Sequence, residues 1–352
     1  VYRLSEDERS LSDKMTMEDV AKAAGVSNIT VSRVANGSGL VHPDTRLRVE
    51  EAMRSLGYLP NLAARAMRTN LTGTIGFLVP DLTNYPNAAV AQAAERRLAE
   101  AGFGMLLASS ALNPVREAKA LAALQTRQVD GVVLYVSDEA DPELLTALRR
   151  FKTPLVVLDR TLPLNAEVDS VICDHATAMR EVVRYLVQLG HRRIALLVPE
   201  LRIRPVIERS TAFRTAAAEA GIAESCATVV QVSAATAAGS VPALTLLEGP
   251  TPPTAIIADG NRLLRGVILA SRSLGRAMPA DLSVIGIDTD DMALVCTPEI
   301  TCIVRDFNEI GQLAADLMLR RLTTQAAAPQ QVILPSQVVL RSSCGPAPRS
   351  SR

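Results

Sequence analysis

The stretch Thr16-Met17-Glu18-Asp19-Val20-Ala21-Lys22-Ala23-Ala24-Gly25-Val26-Ser27-Asn28-Ile29-Thr30-Val31-Ser32-Arg33-Val34-Ala35 holds two short helical patterns on either side of one glycine. Thr16 stands three residues before Asp19, a short form of the capping box, so a helix should begin at about Met17. Val20, Ala21 and Ala24 fall on one face of it. Gly25 permits a sharp turn, and Ser27 can cap a second helix over Asn28–Ala35 that buries Val31 and Val34. Asn36-Gly37 ends that helix, since both residues tolerate a left-handed backbone. Pro43 suits the first turn of a third helix that runs to Leu56 and stops at Gly57. Two helices around a tight turn, braced by a third, make a helix-turn-helix unit.

The outer face of the second helix carries the chemistry. Ser27, Asn28, Ile29, Thr30, Ser32 and Arg33 offer short donors for phosphates and longer groups for base edges. Arg33 has the fork for a guanine, and Asn28 the amide for an adenine. Ser32, Asn36 and Thr45 have the size of phosphate contacts. Residues 15–69 hold seven Lys/Arg against five Asp/Glu, a local charge of only +2. Contacts with DNA must therefore be well placed rather than numerous. On pattern alone, a three-helix adaptor with a solvated polar face also fits.

Working outward, 352 residues are enough for two or three domains, and 48% of them are apolar. Aromatics are scarce, so Leu, Val, Ile and Ala must build the interior. The formal net charge of zero excludes a protein that merely coats nucleic acid. The five cysteines are scattered without metal-ligand spacing and read as reduced thiols. No apolar run is long enough to span a membrane, and the polar N-terminus lacks a secretory core, so a cytoplasmic location is expected.

The sequence suggests a loose tail over 1–14, the helical unit over 15–59, a polar-basic connector over 60–73, a core over 74–345 and a disordered tail over 346–352. Within the core, apolar runs such as Ile75–Pro80, Gly131–Val136, Arg193–Val198 and Leu282–Ile287 alternate with helical stretches such as Asn87–Ala101 and Arg262–Leu274. Continuous apolar runs suit strands buried on both faces, with helices as crossovers. The core should be α/β with mainly parallel sheets, in two lobes, with a crossing between lobes near 161–168. An enzyme is disfavoured. There is no GxGxxG after a strand, no P-loop, no GxSxG and no HExxH. His175 follows Asp174 and suggests acid/base work, but a polar loop residue is the better reading; His191 reads as a structural turn histidine. No cofactor or metal is expected. A free-standing solute-binding protein would account for the core alone and leave 16–68 without a use.

The order Met17-Glu18-Asp19-Val20-Ala21, Gly25-Val26-Ser27, Thr30-Val31-Ser32-Arg33, Asn36, Thr45-Arg46, Gly57-Tyr58 and Pro60-Asn61 closely resembles the signature of the LacI/GalR family of regulators. The resemblance implies an all-α helix-turn-helix headpiece joined to a two-lobed, periplasmic-binding-protein-like α/β core. It implies a repressor that binds double-stranded operator DNA as a homodimer or tetramer and answers to a small-molecule effector, a sugar or a derivative such as a sugar acid. By it, Asn28, Ile29 and Arg33 read bases and Thr30, Ser32, Asn36 and Thr45 hold the backbone, with Thr16 and Ser27 also counted as DNA-binding residues. Asn61, Arg65 and Met67 belong to a hinge helix whose apolar wedge, usually Leu, is here Met67. His42-Pro43 departs from the family's usual Ser or Thr cap.

Leu158-Asp159-Arg160, Gly190-His191, Arg209 with Phe213, and Ile285-Gly286-Ile287-Asp288 resemble landmarks of the family core. The effector cleft is expected at strand C-terminal ends between the lobes, with Asp159, Arg209 and Asp288 at ligand-bonding positions and Tyr135 beside them. For each of these, a lobe-bridging ion pair or a packed polar residue is the alternative. Asn84-Tyr85-Pro86-Asn87 replaces a family Asn-Pro-Phe-Phe, which removes aromatic surface for a sugar ring, and Gly260-Asn261 replaces Asn-Asp. Arg202, Arg204 and Arg209 cluster in sequence, which points to an effector bearing a carboxylate or phosphate.

Overall fold

The computed structural model describes residues 15–35, 39–58, 71–163, 168–233, 240–324 and 328–348. The chain divides into a unit over Val1–Thr72 and a unit over Gly73–Arg352. In the first, α1 (Met17–Ala24), α2 (Asn28–Ala35) and α3 (Pro43–Ser55) form the expected three-helix unit. Its capping box is complete: Asp19 N donates to Thr16 Oγ1 at 3.3 Å, and Thr16 N donates to Asp19 Oδ2 at 2.8 Å. Gly25, at φ 64°, makes the turn. Val20, Val31 and Val49 are fully buried, with Tyr58 closing the small core. His42 gives α3 no side-chain cap; a Ser or Thr there would contribute ~0.5–2 kcal/mol.

The second unit has two lobes built on one plan. The first lobe holds β1 (Thr74–Val79), β2 (Gly104–Ser109), β3 (Gly131–Leu134), β4 (Leu155–Leu158), β5 (Asp169–Asp174) and β11 (Gln331–Pro335). They lie in the order β11-β5-β4-β3-β1-β2, all parallel. The second lobe holds β6 (Ile194–Pro199), β7 (Ala227–Val232), β8 (Ala255–Asp259), β9 (Ser283–Ile287), β10 (Thr301–Val304) and β12 (Gln337–Val339). Their order, β12-β10-β9-β8-β6-β7, repeats the first, except that β12 runs antiparallel.

Helices cover both faces of each sheet, which is why the inner strands are apolar on both sides. In the first lobe α4 (Tyr85–Glu100) and α12 (Phe307–Thr323) pack on one face, and α5 (Pro114–Thr126) and α6 (Pro142–Arg150) on the other. In the second, α7 (His175–Gln188) and α8 (Arg204–Glu219) oppose α9 (Ser240–Glu248) and α10 (Asn261–Ser273). A short α11 (Asp290–Ala293) follows β9. The lobes exchange helices: α7 follows β5 but joins the second core, and α12 follows β10 but joins the first.

The expected crossing near 161–168 is therefore corrected. The chain enters and leaves that stretch in one sheet, where Val157 pairs with Ser170. The lobes are instead joined between β5 and α7, between β10 and α12, and between β11 and β12. His191 is the turn histidine expected, with Nδ1 2.8 Å from Thr254 Oγ1 and Nε2 2.9 Å from Ser283 Oγ. His175 is not a loop residue: it is buried and opens α7.

The packing of α12 on α4 depends on Gly311. A Cβ there would meet the Val90 carbonyl oxygen, with Ala93 Cβ at 2.6 Å and Ala94 N at 2.9 Å. Backbone cannot yield as a side chain does. Gly311→Ala should therefore destabilise the fold by ~1–3 kcal/mol despite its better helix propensity, read as a lower urea midpoint.

Candidate functional site

Two surfaces concentrate the candidate residues. On the first unit, α2 turns Val31 and Val34 inward and leaves Asn28, Ile29 and Arg33 exposed, Ile29 at 65%. Ile29 and Arg33 are four residues apart and share a helix face. Ser27 caps α2, accepting from Thr30 N at 3.3 Å, and its Oγ lies 3.0 Å from Thr30 Oγ1. Thr30, Ser32 and Thr45 are half-buried. The Thr16 hydroxyl is engaged in its own cap, 2.6 Å from Asp19 Oδ2, and these hydrogen bonds hold the Asp19 carboxyl below its usual range. Gly39 sits against the Arg33 stem, since a Cβ there would lie 3.4 Å from Arg33 Cδ. Asn36, Asn61, Arg65 and Met67 lie outside the described residues.

The second surface is a cavity of about 230 Å³ between the lobes. The ends of strands position its charged groups. Asp159 follows β4, Asp259 closes β8, Asp288 follows β9 and Arg305 follows β10. The sequence reading brought Asp159, Arg209, Asp288 and Tyr135 to one cleft, and all four line this cavity. It missed Arg305 and Asp259, which line it too. Arg305 follows a four-residue strand, Thr301–Val304, whose pattern was too short to stand out.

These charges are already paired. Arg305 Nη1 donates to Asp159 Oδ2 at 2.7 Å, while its Nε and Nη2 grip Asp288 at 2.9 and 2.7 Å. Arg209 Nη1 reaches both Asp259 oxygens at 2.8 and 2.9 Å, and Nη2 reaches Asp288 at 3.0 Å. Arg305 and Asp159 thus bridge the lobes, Arg209 pairs with Asp259 and Asp288 within the second lobe, and all five line the cavity. Burial alone would raise the Asp159 carboxyl, but the His175 ring and Arg305 outweigh it and hold it well below the carboxylate range. Asp288 is lowered against burial by Arg305 and Arg209. Asp259 is raised by burial, which Arg209 only partly offsets.

The sequence cluster of arginines loses its argument for an acidic effector. Arg202 pairs with Asp138, Arg204 with Asp159 and Glu208, and Arg209 with two aspartates. Nor is aromatic surface absent. Tyr85 lines the cavity half exposed and packs edge-on against Phe307, with ring centroids 6.0 Å apart. Tyr135 is buried beneath the Arg160 guanidinium, 5.5 Å from the ring centre. No group of three or more His, Cys, Asp or Glu suited to a metal occurs among the described residues, and no described helix is long and apolar enough to cross a membrane.

A family model described as bacterial regulatory proteins, lacI family, matches residues 16–61, and one described as a periplasmic binding protein-like domain matches 183–344. The chain is 32% identical over 335 residues to the HTH-type transcriptional regulator DegA of Bacillus subtilis, covering 95% of this chain and 99% of that one. Among solved structures it is similar to the lac repressor dimer bound to operator and the anti-inducer ONPF, with a TM-score of 0.80, 27% identity and coverage of 94% and 99%. It is also similar to a complex of the transcriptional regulator CelR with cellobiose, with a TM-score of 0.69, 28% identity and coverage of 93% and 99%. Such regulators act by binding, not by catalysis.

His175 gives the cleft a pH signature. Burial lowers its pKa from 6.5 to about 4, so the ring is neutral at physiological pH. Its Nε2 then donates to Asp159, with the two oxygens 2.9 and 3.0 Å away. Between about 6.5 and about 4 the unfolded chain takes up a proton that the folded chain refuses, so stability falls as pH is lowered through that window. His175→Gln should remove this dependence. In paired denaturant titrations, the wild type should lose stability relative to the variant across the window.

Proposed function

The chain belongs to the lacI family of bacterial regulatory proteins, and from that premise we propose that it is an operator-specific repressor controlled by a small, uncharged polyhydroxy ligand such as a monosaccharide. The cleft carries the ligand assignment. Among the described residues four aspartates and four arginines line it, and each arginine has a carboxylate within 4 Å. At Arg209 and Arg305, both largely buried and hydrogen-bonded to internal carboxylates, a guest anion would have to displace one of them. Hydroxyl groups can instead share oxygens whose second lone pairs remain open. The volume, about 230 Å³, lies below the ~300–1,000 Å³ of pockets for drug-sized ligands, which favours one ring over two. Tyr85 supplies an apolar ring face.

On the first unit, Asn28, Ile29 and Arg33 read bases, with Ser27, Thr30, Ser32 and Thr45 on the backbone. The expected DNA-binding role of Thr16, the backbone contact of Asn36, and the hinge roles of Asn61, Arg65 and Met67 complete this reading. The relative bound to operator supports it. Two copies acting together suit a headpiece of such low charge. Strand β2 offers an edge for their contact, with Leu106 and Leu107 exposed. Ligand binding between the lobes would change the dimer geometry and hence operator affinity, by linkage.

Calorimetry against a panel of monosaccharides and the matching sugar acids tests the ligand class. A neutral sugar should bind at least ~10-fold more tightly than its acid, about 1.4 kcal/mol; preference for the acid would sink the assignment. Arg33→Ala should weaken operator binding by ~1–3 kcal/mol and relax one base position in selection from random DNA. An unchanged selected sequence would remove Arg33 from base reading.

A further inference from the structure

The two lobes repeat one pattern strand for strand, and the repeat singles out Arg305. Leu158 of β4 pairs with Val171 of β5, and Ile287 of β9 pairs with Ile303 of β10. Asp159 and Asp288 are therefore counterparts. Both hold a left-handed backbone, at φ 52° and 55°, which non-glycine residues keep only where the surroundings enforce it. Each amide hooks onto the neighbouring strand at the equivalent place: Asp159 N to Val171 O at 2.7 Å, Asp288 N to Ile303 O at 2.9 Å. Further along those strands, Cys173 and Arg305 are counterparts. Next come Asp174 and Asp306, each capping the helix that follows.

A pseudo-twofold relation thus turns two carboxylates, one from each lobe, towards a shared point. Two buried like charges repel unless a cation stands between them. The repeat has one position per lobe from which to supply it, and only one is used. Arg305 spans the gap, while Cys173 Sγ lies 3.7 Å from Arg305 Nη1 and brings no charge. The thiol is pushed up to about 11 by burial, so it stays neutral beside the guanidinium. Arg305 meets one carboxylate end-on and the other with two parallel bonds, a match to its planar fork that an ammonium lacks.

We propose that Arg305 is a tethered occupant of a guanidinium-binding site assembled from both lobes, and that a chain without this side chain binds a free guanidinium compound in its place. The proposal rests on the reading of the cleft as the ligand site and sharpens it. With Arg305 present, the cleft presents no uncompensated acid and refuses cations as it refuses anions. Without it, Asp159 keeps Arg204 and the His175 ring and Asp288 keeps Arg209, but the shared guanidinium between them is gone, and the preferred ligand class shifts from neutral polyol to guanidinium-bearing cation.

The experiment uses the full chain, R305A and R305A/D288N, with methylguanidinium as the probe and methylammonium at equal ionic strength as the control. In calorimetry and thermal melts, R305A should bind methylguanidinium saturably, with a rise in Tm of at least ~2 °C near saturation. Methylammonium should bind at least ~10-fold more weakly. Wild type and R305A/D288N should show no saturable response. An equal response in wild type, or none in folded R305A, overturns the proposal. Should R305A not fold alone, the cation can be moved to its counterpart: C173R/R305C should melt above both C173R and R305C. A double variant that melts no higher than the more stable single overturns the proposal as well. Neither readout involves operator or sugar, so a failure here leaves the wild-type binding tests of the functional reading intact.

Discussion

Charge buried between the two lobes must be balanced on the spot, and the arrangement of the cleft follows from that requirement. Asp159 and Asp288 sit buried at strand ends, and the Asp259 side chain is only 8% exposed at another. An isolated buried carboxylate would cost several kcal/mol, so each has a guanidinium, and Asp159 has the neutral His175 ring as well. Arg305 and Arg209 meet on Asp288, which makes one continuous chain of alternating charge from Asp259 to Asp159. This chain crosses from one lobe to the other. Whatever alters a single link, be it ligand, proton or substitution, is felt in both lobes. A small molecule held there is therefore in a position to govern how the lobes meet.

Local signals made the first unit readable almost to the residue. Thr16 with Asp19, Gly25, Ser27 and Pro43 are each a short-range device, and each appears where it was read. The alternation of apolar runs gave most central strands of the core for the same reason: strands buried on both faces have no other composition. The connections failed where the deciding forces are long-range. Residues 161–163 have the look of a crossing, yet β4 and β5 are sheet neighbours; nothing local distinguishes a turn within a sheet from a passage between sheets. Strands β10 and β12 are too short to carry a period.

The cleft was half legible. Asp159, Arg209, Asp288 and Tyr135 do converge; family resemblance located the first three, and the place of Tyr135 at a strand end located the fourth. Arg305 was hidden because its partners lie 146 and 17 residues away in sequence. The cluster of Arg202, Arg204 and Arg209 misled for the converse reason. Adjacent like charges suggest a site for an anion, but the fold sends each to a different internal carboxylate. Sequence displays charges; it does not display which are spent.

The exchange of α7 and α12 between lobes has a consequence for how the chain comes to be folded. The first lobe opens with β1 at Thr74, yet it receives α12 only from residues 307–323 and β11 from 331–335. During synthesis that lobe stays unfinished, with part of the face that α4 and α12 share left uncovered, until all of the second lobe but β12 has been made. The second lobe, in contrast, has nearly all its parts consecutively. Sequential completion from the N-terminus, the common order for multidomain chains, is closed to this core. The earlier-made lobe is completed only after most of the later one, and a nascent chain stalled between β5 and residue 307 would leave exposed the apolar surface that α12 covers, to which chaperones or aggregation partners could bind.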